Sequence, residues 1–283
     1  MATRTWQSTS STDWNTAGNW SGAAVPISND NVVINGGTNI AGYDASAVDL
    51  DSLNVGQDYD GSIGSTGSYL IVAADLVNIK CATQATNRGN RDIYLDTGGT
   101  YTSDVVYIDS VAFNQTIYLK GTITDLIINH GRVVIVSGTV AELRIVWDGT
   151  GAPPTVEVQT PTVTLAHVHT PANLTMSGAG TITTLRQDAG TLVAEAGTLT
   201  NVYVGRGIVR DNTTTTTTLA HVYPGGLLDY RQNVAGKTVT ASEVYGSGKL
   251  AHDQELNRIT FTAATVKRFE TVAAPLASGA ATL

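Results

Sequence analysis

Thr164-Leu165-Ala166-His167-Val168 and Thr218-Leu219-Ala220-His221-Val222 are the same five residues written twice. Working outward from Leu165 and Leu219, a looser unit recurs on both sides. It reads as a polar residue, an aliphatic anchor, a few strand-forming residues, a small turn that usually contains Gly, and a second aliphatic strand. The anchors are Leu53, Leu76, Val106, Leu126, Leu143, Leu165, Leu185, Val202, Leu219 and Val244. A polar residue precedes nearly every one: Ser52, Asp75, Asp125, Glu142, Thr164, Thr184, Asn201, Thr218 and Glu243, with Val105 breaking the column. A polar column beside an aliphatic one is what alternating strand faces produce when units stack in register.

The second aliphatic falls at Val133, Leu174, Leu192, Ile208, Leu227 and Leu250. A helical reading fails, because glycine is frequent and the apolar spacing is near two rather than 3.6. Self-similarity at about twenty residues points to a solenoid and is too short for a propeller blade. The sequence therefore predicts an all-β, single-stranded β-solenoid (β-helix) of about ten coils over residues 46–256. Residues 1–45 read as an N-terminal cap and attachment segment, and 257–283 as a C-terminal strand and tail. Longer turns are expected at Thr83 to Asp92, Trp147 to Thr155 and Thr213 to Thr218, where recognition concentrates on such scaffolds.

Composition agrees. The 283 residues are 42% hydrophobic and only 14% charged, with 29 glycines, and the branched residues Thr and Val suit pleated strands. The net charge of −8 and the lack of a Lys/Arg cluster argue against a nucleic-acid partner, which needs a cationic face. The single cysteine, Cys81, leaves no intrachain disulfide and reads as a small buried hydrophobe. No apolar run is long enough to cross a bilayer. The opening residues have no secretory h-region, so the expectation is a protein made in the cytoplasm.

Three of the four tryptophans, Trp6, Trp14 and Trp20, lie before residue 45. They read either as large rings closing the first coil or as exposed anchors for a partner, the candidate binding residues of the chain. Trp14-Asn15-Thr16-Ala17-Gly18-Asn19-Trp20-Ser21-Gly22, with Val25-Pro26 and Asp30-Asn31-Val32-Val33-Ile34, resembles the N-terminal motif of phage virion proteins and bacterial surface proteins with β-helix bodies. The resemblance covers about twenty residues and brings no catalytic motif with it. It implies a β-helix body and does not choose among decoration, fibre and adhesin roles.

The residues that could carry chemistry are few. His167 and His169 could place two imidazoles on one strand face, but no third ligand is evident nearby and His167 recurs as His221 through the repeat, so no metal site is expected. Asp125 and Glu142 fall in one column of consecutive coils, where stacking could bring their carboxyls to about 5 Å, the separation used by retaining glycosidases. Their polar column also reads simply as the solvent face. Asp188 and Glu195 invite the same test. Gly205/Gly207 and Gly246/Gly248 recur as bends and complete no phosphate loop. No cofactor is expected.

Together these readings favour a non-enzymatic structural protein of the virion: a capsid decoration or cement protein, a homotrimer with the major capsid protein as partner and its N-terminal segment facing the capsid. The alternative is a tailspike-like or lectin-like polysaccharide-binding β-helix, with a glycan-cleaving activity in its strongest form.

Overall fold

Thr, Val, Ile and Leu alternate inward and outward along short strands, and Gly-containing turns return the chain to start the next one. The result, in a computed structural model that describes residues 1–82, 91–98, 101–112, 115–233, 236–252 and 258–264, is an all-β chain of parallel strands wound as a β-solenoid of about ten turns. The chain divides into two compact units, Met1–Val156 and Glu157–Leu283.

In the first unit one ladder runs from Asn31–Ile34 through Asp44–Val55, Leu70–Ile79, Ser103–Asp109 and Thr122–His130 to Thr139–Ile145. A second ladder of shorter strands joins Ile93–Asp96, Thr116–Lys120 and Arg132–Ile135. The second unit repeats the plan. Its longer strands are Thr162–Val168, Thr181–Gln187, Thr198–Val204, Thr217–Val222, Lys237–Val244 and Ile259–Ala264. Its shorter ones are Asn173–Met176, Thr191–Ala194, Ile208–Asp211, Leu227–Asp229 and Lys249–Ala251.

Side chains that share a rung stack through each core. Leu53, Val77, Val106, Leu126 and Leu143 form one buried column in the first unit. In the second, Ala166, Leu185, Val202 and Ala220 form one column, and Leu174, Leu192, Val209, Leu228 and Leu250 form another. Full burial of each large aliphatic contributes about 1.5–3 kcal/mol. These columns correct several expected anchors. The residue facing inward is Val77 rather than Leu76, Ala166 rather than Leu165, and Ala220 rather than Leu219. Among the second aliphatics, Val209 and Leu228 take the place of Ile208 and Leu227. The period was right, but within a coil two adjacent apolar residues compete for one inward position, and only the ladder register decides between them.

Residues 1–45 close the first coils. Strand Thr3–Thr5 pairs in parallel with Asn31–Ile34. Trp20 meets Trp6 and Trp14 edge to face, with ring centroids 5.0 and 4.6 Å apart. The indole N–H of Trp20 donates to the Trp14 carbonyl at 2.7 Å, and that of Trp6 to the Thr38 carbonyl at 3.1 Å. The Asp30 carboxylate ties the segment down, accepting from the backbone N–H of Ala2 at 2.9 Å and from Arg4 Nε at 3.2 Å. All three rings are 1–2% exposed. They are the aromatic cap, and none presents a face to a partner as this segment is folded.

Cys81 is buried and free, and burial pushes its thiol up to about 11. The turn at Trp147 to Thr155 lies outside the strands up to Pro154, and the threonine run enters a strand at Thr217. Most of the expected loop from Thr83 to Asp92, and the apolar tail from Ala273 to Leu283, lie outside the described residues.

Candidate functional site

The outward face of the longer strands in the second unit gathers the polar and aromatic side chains with the richest chemistry. In register across five strands stand His167, Arg186, Tyr203, His221 and Glu243. Parallel in-register stacking brings residues from successive coils side by side although the chain separates them by about twenty positions.

At one end of this row, His167 Nε2 lies 2.9 Å from Asp188 Oδ2, and His169 Nδ1 lies 3.8 Å from the same oxygen. The two imidazole centroids lie 3.6 Å apart with the ring planes tilted by 38°. His167 and His169 sit on one face because they are two residues apart on a strand. Asp188 joins them because it follows Gln187, the rung partner of Val168. The three donor atoms all lie within 4.8 Å of one another. A third side chain of a type that can ligate a metal therefore stands beside the histidine pair, where the sequence pattern showed none. Its signal was the ladder offset: the step that carries Val168 to Gln187 carries His169 to Asp188.

Further along the row, His221 Nε2 lies 3.2 Å from Glu243 Oε2, and the Tyr245 hydroxyl donates to the same carboxylate oxygen. That hydrogen bond, with burial and the nearby Glu243 charge, pushes the Tyr245 phenol up to about 12. Tyr223 and Tyr245 stack 5.1 Å apart and nearly parallel, and Tyr203 meets His221 edge to face.

In the first unit, a cleft of about 640 Å³ is lined by Ser110, Gln115, Thr116, His130, Arg132 and Pro153 among others. His130 is held at both ring nitrogens: Nδ1 lies 2.7 Å from Asp109 Oδ1, and Nε2 lies 2.7 Å from the Thr150 carbonyl and 3.3 Å from Asp148 Oδ1. Burial alone would lower its pKa, but these bonds and the two carboxylates outweigh it and hold the imidazole above its usual value. The arrangement locks the Trp147 turn onto the coil, since the Trp147 indole N–H also donates to the Thr150 carbonyl at 2.7 Å.

Asp125 and Glu142 are rung partners, as the column required. Arg144 pairs with both: its Nη2 donates to Asp125 Oδ2 at 3.0 Å, and its Nε lies 3.4 Å from Glu142 Oε1 as an ion pair. The guanidinium thus sits between the two carboxylates that acid–base work on a glycosidic bond would use, against one oxygen of each. Asp188 bonds His167, whereas Glu195 accepts from Asn212 at 3.2 Å. Gly205 and Gly207 are bends between a longer and a shorter strand, as are Gly246 and Gly248. His252 packs its ring against Phe261. No protein-family model, curated protein or solved structure matches this chain. The fold defines the molecule's class, a parallel β-solenoid.

Proposed function

We propose that this chain is a structural component of a virus particle, a capsid decoration or cement protein that acts mechanically and without catalysis. In this reading it is made in the host cytoplasm, assembles as a homotrimer, and binds the major capsid protein. The observation that carries it is a set of outward-facing aliphatic side chains beside the core, on a rung they share with polar residues such as Ser52, Asp125 and Asn201. Leu76 (39% exposed) is a rung partner of Val105 in the first unit, and in the second Leu165 and Leu219 occupy outward positions of the equivalent kind. Aliphatic residues on the outer face of a parallel sheet favour cover by another surface, and side-by-side packing of copies supplies it. Binding only to the assembled shell then stabilises the particle by mass action. The buried tryptophans make the cap a closed end rather than a set of exposed anchors, so in this reading attachment at that end uses its polar surface.

Solution mass by light scattering after size exclusion tests the assembly. A trimer that dissociates when Leu76 and Leu219 are each replaced by Asp, with co-sedimentation on particles lost in parallel, supports the reading. A wild-type monomer that also fails to co-sediment with particles sinks it. A polysaccharide-binding role is the second reading, favoured by the stacked Tyr223 and Tyr245 beside Glu243, since parallel rings with an adjacent carboxylate suit a sugar's apolar face and hydroxyls. Retention of the chain on a glycan array, abolished by Tyr223→Ala, would favour it.

A further inference from the structure

We propose that His167, His169 and Asp188 form a binding site for a first-row divalent transition-metal ion of the Zn²⁺ type, held within one chain and open to solvent at its fourth position. Two imidazole nitrogens and one carboxylate oxygen are the donor set that such ions favour, and three protein ligands plus one exchangeable position describe an open site. A tetrahedral ion about 2.0–2.1 Å from each ligand needs its donor atoms about 3.3 Å apart. The two distances to Asp188 Oδ2, 2.9 and 3.8 Å, bracket that value. Small rotations of two side chains therefore convert the hydrogen-bonded cluster into a coordination shell.

The backbone fits the same purpose. His167 lies on strand Thr162–Val168 and Asp188 directly follows strand Thr181–Gln187, so the ligands hang from a hydrogen-bonded ladder rather than a long loop. The Asp188 backbone N–H donates to the Val168 carbonyl at 2.9 Å, fixing the carboxylate's root opposite the histidines. On the next coil stands Gly205, where a Cβ would come within 2.7 Å of Asp188 Oδ1. Glycine there leaves the carboxylate room to turn toward the imidazoles. His167 is mostly covered, with 20% of its side chain exposed, while His169 and Asp188 are 40% and 50% exposed. An ion can thus enter from solvent without opening the core. Arg186, the rung partner of His167, is exposed and brings a positive charge near, which weakens affinity without blocking the donor atoms.

The test uses the full chain without a histidine tag, stripped with a chelator and titrated with ZnCl₂ in a calorimeter, with Co²⁺ as a spectroscopic probe. One ion per chain is expected, with the intense visible bands of four-coordinate Co²⁺. His169→Ala and Asp188→Asn should each weaken binding by at least tenfold, and His221→Ala should leave it unchanged. Melting of the metal-free variants reports separately on folding, and the exposed His169 should be replaceable with no loss. Absence of stoichiometric binding at submillimolar Zn²⁺, or equal affinity in wild type, His169→Ala and Asp188→Asn, would overturn the proposal.

Discussion

Lys237 Nζ lies 2.7 Å from Asp211 Oδ2, and neither side chain is reached by solvent. The ammonium also donates to Thr213 Oγ1 at 2.7 Å, and Asp211 Oδ1 accepts from the Thr213 hydroxyl and backbone N–H. Burial lowers the Lys237 pKa, and Asp211 opposes that shift. The pair stands where the neighbouring coil places only Ala194 on the same rung, so the small side chain leaves room for the ions. Removing one partner of such a pair strands a charge in the core. Lys237→Met should cost about 3–5 kcal/mol, whereas Lys237→Met with Asp211→Asn should cost clearly less, because the amide oxygen still serves Thr213 and no bare charge remains. Urea midpoints of the two variants check the order, and the reverse order would refute it.

His130 gives the fold a pH dependence whose sign follows from its contacts. Its pKa is raised in the folded chain, so its contribution to stability is complete below the unfolded value of about 6.5 and is lost as the pH rises through the folded value. The melting-temperature gap between wild type and His130→Gln should be widest in mild acid and narrow toward alkaline pH. A gap that stays constant across that range would show that the ring contributes packing alone.

Trp14 is the most enclosed ring of the cap, 1% exposed and stacked edge-on against Trp20. Trp14→Ala should cost about 3–5 kcal/mol through lost burial and the cavity left behind. Hydrogen exchange should show that the loss begins in residues 1–45, where amide protection should fall first. Uniform loss of protection along the chain would contradict a local cap.

Gly138 and Gly149 separate two costs of adding a methyl group. Both hold positive φ, 105° and 90°. A Cβ on Gly138 would run into the carbonyl of Gly121 on the preceding coil, while one on Gly149 meets nothing within 4 Å. Gly149→Ala should lose about 1–3 kcal/mol from backbone strain alone. Gly138→Ala should lose more, because two stacked turns must also move apart. Equal losses, read from denaturant unfolding, would mean that the coils part without resistance.

The repeat was legible because strand alternation and coil stacking write the same signal twice, once within a strand and once between strands. What failed was parity at particular rungs. Leu165 and Leu219 outrank their neighbours Ala166 and Ala220 in hydrophobicity, yet the alanines face inward, because an inward position is chosen by ladder register rather than by side-chain size. The candidate site was half legible: His167 and His169 lie two apart in sequence and were seen as a pair. Asp188 was singled out only with Glu195, as a carboxylate pair; its place beside the histidines comes from the step between coils, which no local window contains. Lys237 and Asp211 were invisible for the same reason, and a search for inward-facing charges at equivalent rungs is what finds such pairs.

Thr162, Thr181 and Thr198 occupy one rung of three successive strands, and with them Val163, Ile182 and Leu199. Excising residues 181–197 would set Val163 against Leu199 and Ala166 against Val202, with every inward residue still inward. Removing one residue fewer would invert that order unless a turn absorbed the difference. Length in such a chain is therefore quantised. Insertions and deletions survive as whole coils or as changes confined to a turn, and the protein can lengthen or shorten over generations like a stack of coins, each exchange leaving the faces of its neighbours untouched.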